Sequence, residues 1–220
     1  MKIEWKEAHP GNYQQGRNGV TPDHVVLHVA DGTYEGTLNW FAMPACDVSA
    51  HYTVAADGRI GQSVSEHNTA WHSGKSEMNR RSIGIEHEGK QPGWAPTETQ
   101  LQASAQLVAA ICQRWGIPVD REHIIGHCDV DPTRAARRNC PGAGWPWDKF
   151  LGMVKAALGD ADPAHKASPA DRETVRLFHS GTNELLGTGT RIAGTDKVYI
   201  PEAMIAALRA TRVLPTPPAK

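Results

Sequence analysis

Two histidines and one cysteine carry the chemistry this sequence offers. His28 follows the apolar run Val25-Val26-Leu27, and His127 follows the β-like run Glu122-His123-Ile124-Ile125-Gly126. Cys140 lies thirteen positions beyond His127, in Arg138-Asn139-Cys140-Pro141-Gly142. Neutral imidazole and thiolate are good zinc ligands, and catalytic zinc sites use three protein ligands and leave a fourth position to water. Strand ends are stiff mounts for such groups. His28, His127 and Cys140 are therefore candidate ligands of one zinc ion. Each also has a plainer reading. A His in an apolar run is commonly packed in a core, and a lone Cys is commonly a buried thiol. No pair among them has zinc-finger spacing.

Hydrolysis at such a centre needs a carboxylate, because zinc lowers the pKa of bound water toward ~7 and a general base takes the proton. Glu86 ends the strand-like Ser82-Ile83-Gly84-Ile85-Glu86 and suits that role; taken alone it equally suits a strand-end salt bridge. Arg138, two residues before Cys140, offers a cation to a developing oxyanion. Asp129 and Asp131 read as turn formers or partners of a ligand. Cys128, if on a strand beside His127, points away from the metal and is buried. Arg134, Arg137 and Arg138 form a basic cluster that is either a solvated loop face or a contact for substrate carboxylates.

The elements that must position these groups are legible from patterning. Val25 to Val29 is a buried-strand signal bounded by Pro22-Asp23 and Asp31-Gly32. Ser49 to Ala55 and Ile60 to Val64 read as strands joined by the turn Ala56-Asp57-Gly58-Arg59. Ser82 to Glu86 is a further strand, and Thr37 to Phe41 a short helix. The clearest helix is Glu98 to Trp115, with Thr97 and Gln100 as a capping box and Gly116 and Pro118 as its stop. Trp147 to about Leu158 is another helix, with Phe150, Leu151 and Val154 in its apolar stripe. Residues 1–22 read as an ordered arm.

Gly159 to Ala170 is poor in apolar residues and reads as a linker. Beyond it, Thr174 to Phe178, Leu185 to Ile192 and Val198 to Ile200 read as strands, and Glu202 to Arg209 as a helix opened by Pro201. The expected architecture is α/β: a mixed central sheet flanked by helices over residues 1–158, then a small α+β unit over 171–214.

Bulk properties narrow the partners. With 220 residues and a net charge of −1, the chain has no overall electrostatic grip on nucleic acid or anionic lipid. No stretch approaches the ~20 apolar residues of a membrane span. The four cysteines, Cys46, Cys112, Cys128 and Cys140, do not resemble a dense disulfide framework. Met1 to Glu7 has no apolar signal core, so the protein is expected to be made in the cytoplasm without a signal peptide.

Five motifs in order carry a resemblance: Val26-Leu27-His28, Ser49-Ala50-His51-Tyr52, Ala70-Trp71-His72-Ser73-Gly74, Ser82-Ile83-Gly84-Ile85-Glu86, and Gly126-His127-Cys128-Asp129-Val130 with Asn139-Cys140-Pro141-Gly142. Together they resemble the zinc-dependent N-acetylmuramoyl-L-alanine amidase family, type 2, which includes phage endolysins, wall-recycling amidases and peptidoglycan recognition proteins. The resemblance covers roughly residues 20–158. It implies hydrolysis of the amide between the lactyl group of N-acetylmuramic acid and L-alanine in peptidoglycan. It implies Zn2+ on His28, His127 and Cys140, Glu86 as general base, and Arg138 where many members carry a Lys. Trp71, His72, His51 and Tyr52 are then candidate substrate-groove residues.

Two departures qualify the match. Some members carry a catalytic Tyr where this chain has Ala50, and Tyr52 would face the same side of a strand. Arg138 keeps the charge of a Lys but not its geometry. The role expected is a phage or prophage endolysin that reaches the wall when the host lyses, with the C-terminal unit as a wall-targeting or dimerising appendage. The alternatives are a wall-recycling amidase and a non-catalytic peptidoglycan-binding relative. The latter typically lacks the Cys ligand, which is present here as Cys140.

Overall fold

A strand covered on both faces needs a continuous apolar run, and His24–Val29 has one: Val25, Val26 and Leu27 are fully buried. This strand lies one in from the edge of a six-stranded sheet in a computed structural model. The structure describes residues 1–44, 46–130 and 139–161, and the backbone of three strands beyond them.

In chain order the first unit holds β1 (Ile3–Trp5), β2 (Tyr13–Gln14), β3 (His24–Val29), α1 (Tyr34–Ala42), β4 (Tyr52–Val54), β5 (Ile60–Gln62) and β6 (Thr69–Ala70). It continues with α2 (Ser76–Arg81), β7 (Ser82–His87), α3 (Glu98–Trp115), β8 (Ile124–Gly126), α4 (His127–Val130) and α5 (Trp147–Ala161). The sheet order is β1-β5-β4-β7-β3-β8. β4, β7, β3 and β8 run parallel, while β5 is antiparallel to β4, so the sheet is mixed as expected.

The two faces of the sheet are filled differently. On one, Val25, Leu27, Val54, Ile83, Ile85 and Ile124 pack with Leu101, Val108 and Ile111 of α3 and Phe150 and Val154 of α5. On the other, α1 contributes Tyr34 and Leu38, packed with Ala55. Register puts His28 beside Glu86 and Glu86 beside Thr53. Neighbours paired across parallel strands point to the same face, so His28, Glu86 and Thr53 form one polar row on the α1 side.

Local chemistry explains the helix ends. Thr97 caps α3 by accepting the Gln100 N–H at 3.0 Å. The Gln100 side chain does not return to close the capping box; buried, it donates to the carbonyls of Val54 at 2.9 Å and Glu88 at 3.1 Å. The amide instead bridges the Val54 carbonyl of β4, which also accepts the Glu88 N–H at 2.9 Å, and the Glu88 carbonyl just after β7. α1 is longer than the expected Thr37 to Phe41, since Thr33 caps it and Tyr34, Leu38 and Phe41 make its buried stripe. The N-terminal arm contributes two strands, β1 at the sheet edge and β2 paired with β6.

The chain divides into two compact units, Met1–Leu158 and Gly159–Lys220. In the second, Arg172–Phe178 (β9), Leu185–Ile192 (β10) and Val198–Tyr199 (β11) form an antiparallel sheet in the order β11-β10-β9. The helix expected over Glu202 to Arg209 and most of the expected linker lie outside the described residues.

Candidate metal centre and active-site groove

His28 is the fifth residue of β3, paired with Glu86 of β7 and one residue beyond the last pairing with β8. His127 opens α4 directly after β8, so the chain turns from strand to helix at this histidine rather than continuing extended. Cys140 returns to the same place because its loop lies against the end of β8. Its carbonyl accepts the Cys128 N–H at 2.9 Å. A β-carbon on Gly126 would lie 2.9 Å from Pro141 Cδ and 3.0 Å from the Cys140 carbonyl, so only glycine admits this approach. The Cys140 sulfur accepts the Val29 N–H at 3.3 Å.

The result is one cluster. One donor atom from each of His28, His127 and Cys140 lies within 4.8 Å of the others. Three donors held 2.0–2.3 Å from a single ion would be about 3.5 Å apart, so a small contraction suffices for all three to share it. The donor set is two imidazoles and one thiol, which suits zinc chemistry. Burial, then the neighbouring His72 and His127 imidazoles, hold His28 well below the usual histidine range. His28 is thus neutral, as ligation requires. Burial, then the Glu86 carboxylate, push the Cys140 thiol up; a bound cation reverses that and favours the thiolate.

Glu86 stands next to this cluster, its Oε1 3.9 Å from His28 Nδ1. Its side chain is 16 % exposed, and its Oε2 has no hydrogen-bond partner among the described residues. Burial, with a smaller contribution from Asp31, pushes its pKa up to about 8. An orphaned carboxylate oxygen beside three metal-type donors is the arrangement that a missing cation would satisfy.

A groove of about 960 Å³ opens over these residues. His28, Glu86, His127 and Cys140 line it together with Trp40, Trp71, Trp94 and Asp31. His72 also lines it, yet is buried: its ring packs on β7, where a Gly84 β-carbon would fall 2.4 Å from its Cγ. That contact is the reason for glycine in Ser-Ile-Gly-Ile-Glu. Cys128, expected to point away, lines the groove because residues 127–130 are helical. Asp129 accepts from Gly126 N and from Arg121, both at 2.8 Å, and so steadies the turn into His127.

Two sequence candidates fall elsewhere. His51 is fully buried, accepts the Gly84 N–H at 3.0 Å and lies 2.8 Å from an Arg17 nitrogen. Burial, then Arg17, lower its pKa to about 3. Tyr52 points to the α3 face, where its hydroxyl donates to Glu66 at 2.6 Å. Neither lines the groove. The same-face argument for Ala50 and Tyr52 fails because regular strand begins only at Tyr52. Ala50 packs with Ala8 and Phe41, and Tyr52 with the main core. Arg138 lies outside the described residues, as do Arg134, Arg137 and Asp131.

Sequence reasoning missed Asp31, Trp40, Trp94 and Gln91. Gln91 ties its loop to the Cys140 segment by donating to the Pro141 carbonyl at 2.7 Å, and no spacing in the sequence marks it. Trp94 had a usable signal in Gly89, whose β-carbon would collide with the indole.

A mixed α/β sheet whose strand ends present three metal-type donors and an adjacent carboxylate in an open groove suits a hydrolase. The comparisons narrow this. Residues 18–143 match the N-acetylmuramoyl-L-alanine amidase family, and the chain belongs to it. It is 30% identical over 176 residues to N-acetylmuramoyl-L-alanine amidase A of Achromobacter lyticus, covering 71% of this chain and 95% of that protein. It is 33% identical over 136 residues to the 1,6-anhydro-N-acetylmuramyl-L-alanine amidase AmpD of Escherichia coli K12, covering 56% of this chain and 71% of that one. Among solved structures, a selenomethionine AmpD derivative aligns with a TM-score of 0.59 and 26% identity, over 69% of this chain and 94% of that one. PlyL, at 20% identity and a TM-score of 0.55, over 70% of this chain and 97% of its own, shares the fold.

Proposed function

We propose that this amidase is zinc-dependent, with His28, His127 and Cys140 holding the ion and Glu86 as its general base. The observation that carries the reading is the convergence of three donor atoms within 4.8 Å beside a buried carboxylate oxygen that has no partner among the described residues. Zinc held there supplies Lewis acidity and makes water a competent nucleophile near neutral pH.

Every other step falls to the chain's own residues. Glu86 accepts the proton of the attacking water as the new carbon–oxygen bond forms at the lactyl carbonyl. It then passes that proton to the L-alanine nitrogen as the carbon–nitrogen bond breaks, leaving a carboxylate and a free amine. Arg138 is the proposed cation for the developing oxyanion. Trp40, Trp71 and Trp94 offer aromatic surface along the groove to sugar and peptide.

In the cell we read the enzyme as an endolysin that meets the wall after host lysis. What supports this over a recycling role is the second compact unit, Gly159–Lys220, which a small soluble substrate does not require. The deciding experiment is product analysis on purified peptidoglycan with and without a zinc chelator. New free L-alanine amino groups, no new reducing ends and loss on chelation are the expected result. Undiminished release in the chelated enzyme would rule out the metal mechanism.

A further inference from the structure

The two histidine donors are oriented by a single loop, Trp71-His72-Ser73-Gly74. His28 Nε2 lies 3.0 Å from His72 Nδ1, and His72 Nε2 lies 3.2 Å from Ser82 Oγ. Ser82 Oγ in turn donates to the Met78 carbonyl at 2.6 Å. A carbonyl only accepts, so the single Ser82 proton is committed to it. His72 Nε2 must then carry the proton that Ser82 accepts. A neutral His72 is left with its lone pair on Nδ1, and His28 Nε2 donates to it. The lone pair of His28 is therefore on Nδ1, the nitrogen 3.9 Å from Glu86.

The next residue of the loop does the same for the other histidine. His127 Nε2 lies 3.1 Å from the Ser73 carbonyl, so Nε2 is the donor, and in the neutral imidazole that ligation requires Nδ1 holds the lone pair. The loop itself is clamped by buried Asn79, whose Oδ1 accepts the backbone N–H groups of His72 at 3.2 Å and Ser73 at 2.8 Å. Gly84 makes room for the His72 ring.

We propose that this loop is a tautomer lock: His72, set by Ser82, and the Ser73 carbonyl hold both donor histidines as Nε2–H, so that both offer Nδ1 to the metal before it arrives. His72 is on this reading a positioning residue rather than a wall of the substrate site. The proposal rests on the metal reading above only for its purpose, because the tautomers can be read in metal-free protein. Partners of this kind are worth about 10- to 100-fold in metal affinity.

The test uses the full-length metal-free protein with 15N-labelled histidine and two-bond proton–nitrogen correlation. His28, His72 and His127 should all appear as Nε2–H tautomers; an Nδ1–H form at His28 or His127 overturns the lock. Zinc affinity by chelator competition is the second measurement, on variants whose fold is checked by circular dichroism. His72→Leu should weaken zinc binding about 10- to 100-fold. His72→Gln, which retains an acceptor for His28, should recover most of that loss. Equal affinity in His72→Leu and wild type overturns the proposal. Should wild type bind no zinc, the metal reading fails, and the tautomers alone decide the lock.

Discussion

Strand β7 faces two environments at once, and the contrast between them organises the molecule. Ile83 and Ile85 point into the packing of α3 and α5, while on the other face Gly84 lies under His72 and Glu86 faces the groove. The helix side is held by non-directional burial, where shape and volume matter. The groove side is held by directed bonds among His28, His72, Ser82, Ser73 and Asn79. A substitution on the first side should therefore cost stability, and one on the second should cost chemistry.

The largest expected effect is on the groove side. Cys140→Ala should abolish both zinc binding and amide hydrolysis, read by metal analysis of the purified protein and amine release from peptidoglycan. Activity without metal in that variant would break the contrast at its strongest point. Glu86→Gln should keep zinc and lose about 100- to 10,000-fold in rate, the usual range for a general base. On the helix side, Ile111→Ala should cost ~2–5 kcal/mol in unfolding free energy, with turnover nearly unchanged at temperatures where the variant is folded; Ile111 is fully buried in the main core.

A subtler effect concerns pH. In metal-free protein the Glu86 pKa is raised to about 8 by burial, against about 4.3 in an unfolded chain. Its contribution to stability is complete below the unfolded value and is lost as pH rises through the folded one. Metal-free Glu86→Gln should thus melt near wild type at pH 4, and progressively higher than wild type up to pH ~8. A constant difference across that range would mean that the carboxylate is not buried in this way. The smallest catalytic effect should come from removing residues 165–220: cleavage of short muropeptides persists, while binding to whole walls, measured by sedimentation, weakens.

Much of the site was legible because its chemistry is carried by rare residue types at strand ends. His28, Glu86, His127 and Cys140 could be named from runs and motifs, and all four line one groove. α3 was legible to the residue, since Thr97 and Gly116 mark both ends. His51 and Tyr52 misled because an alternating pattern was carried through residues 49–51, which are not regular strand. A break in period changes which face a side chain takes. Gln100 followed the sequence rule for a cap only halfway, because the carbonyls that claimed its amide belong to β4 and the turn after β7.

The sequence by itself determined the donor types, the strands that carry them, the mixed α/β architecture and the family. Local patterning reports which residues are apolar, which can ligate and where an element must stop. The tertiary structure alone decided that His72 lies against His28, that Tyr52 turns to Glu66, and that Cys128 enters the groove. These depend on which atoms far apart in the chain arrive within 3 Å of one another, and a hydrogen bond exists only at that distance and angle.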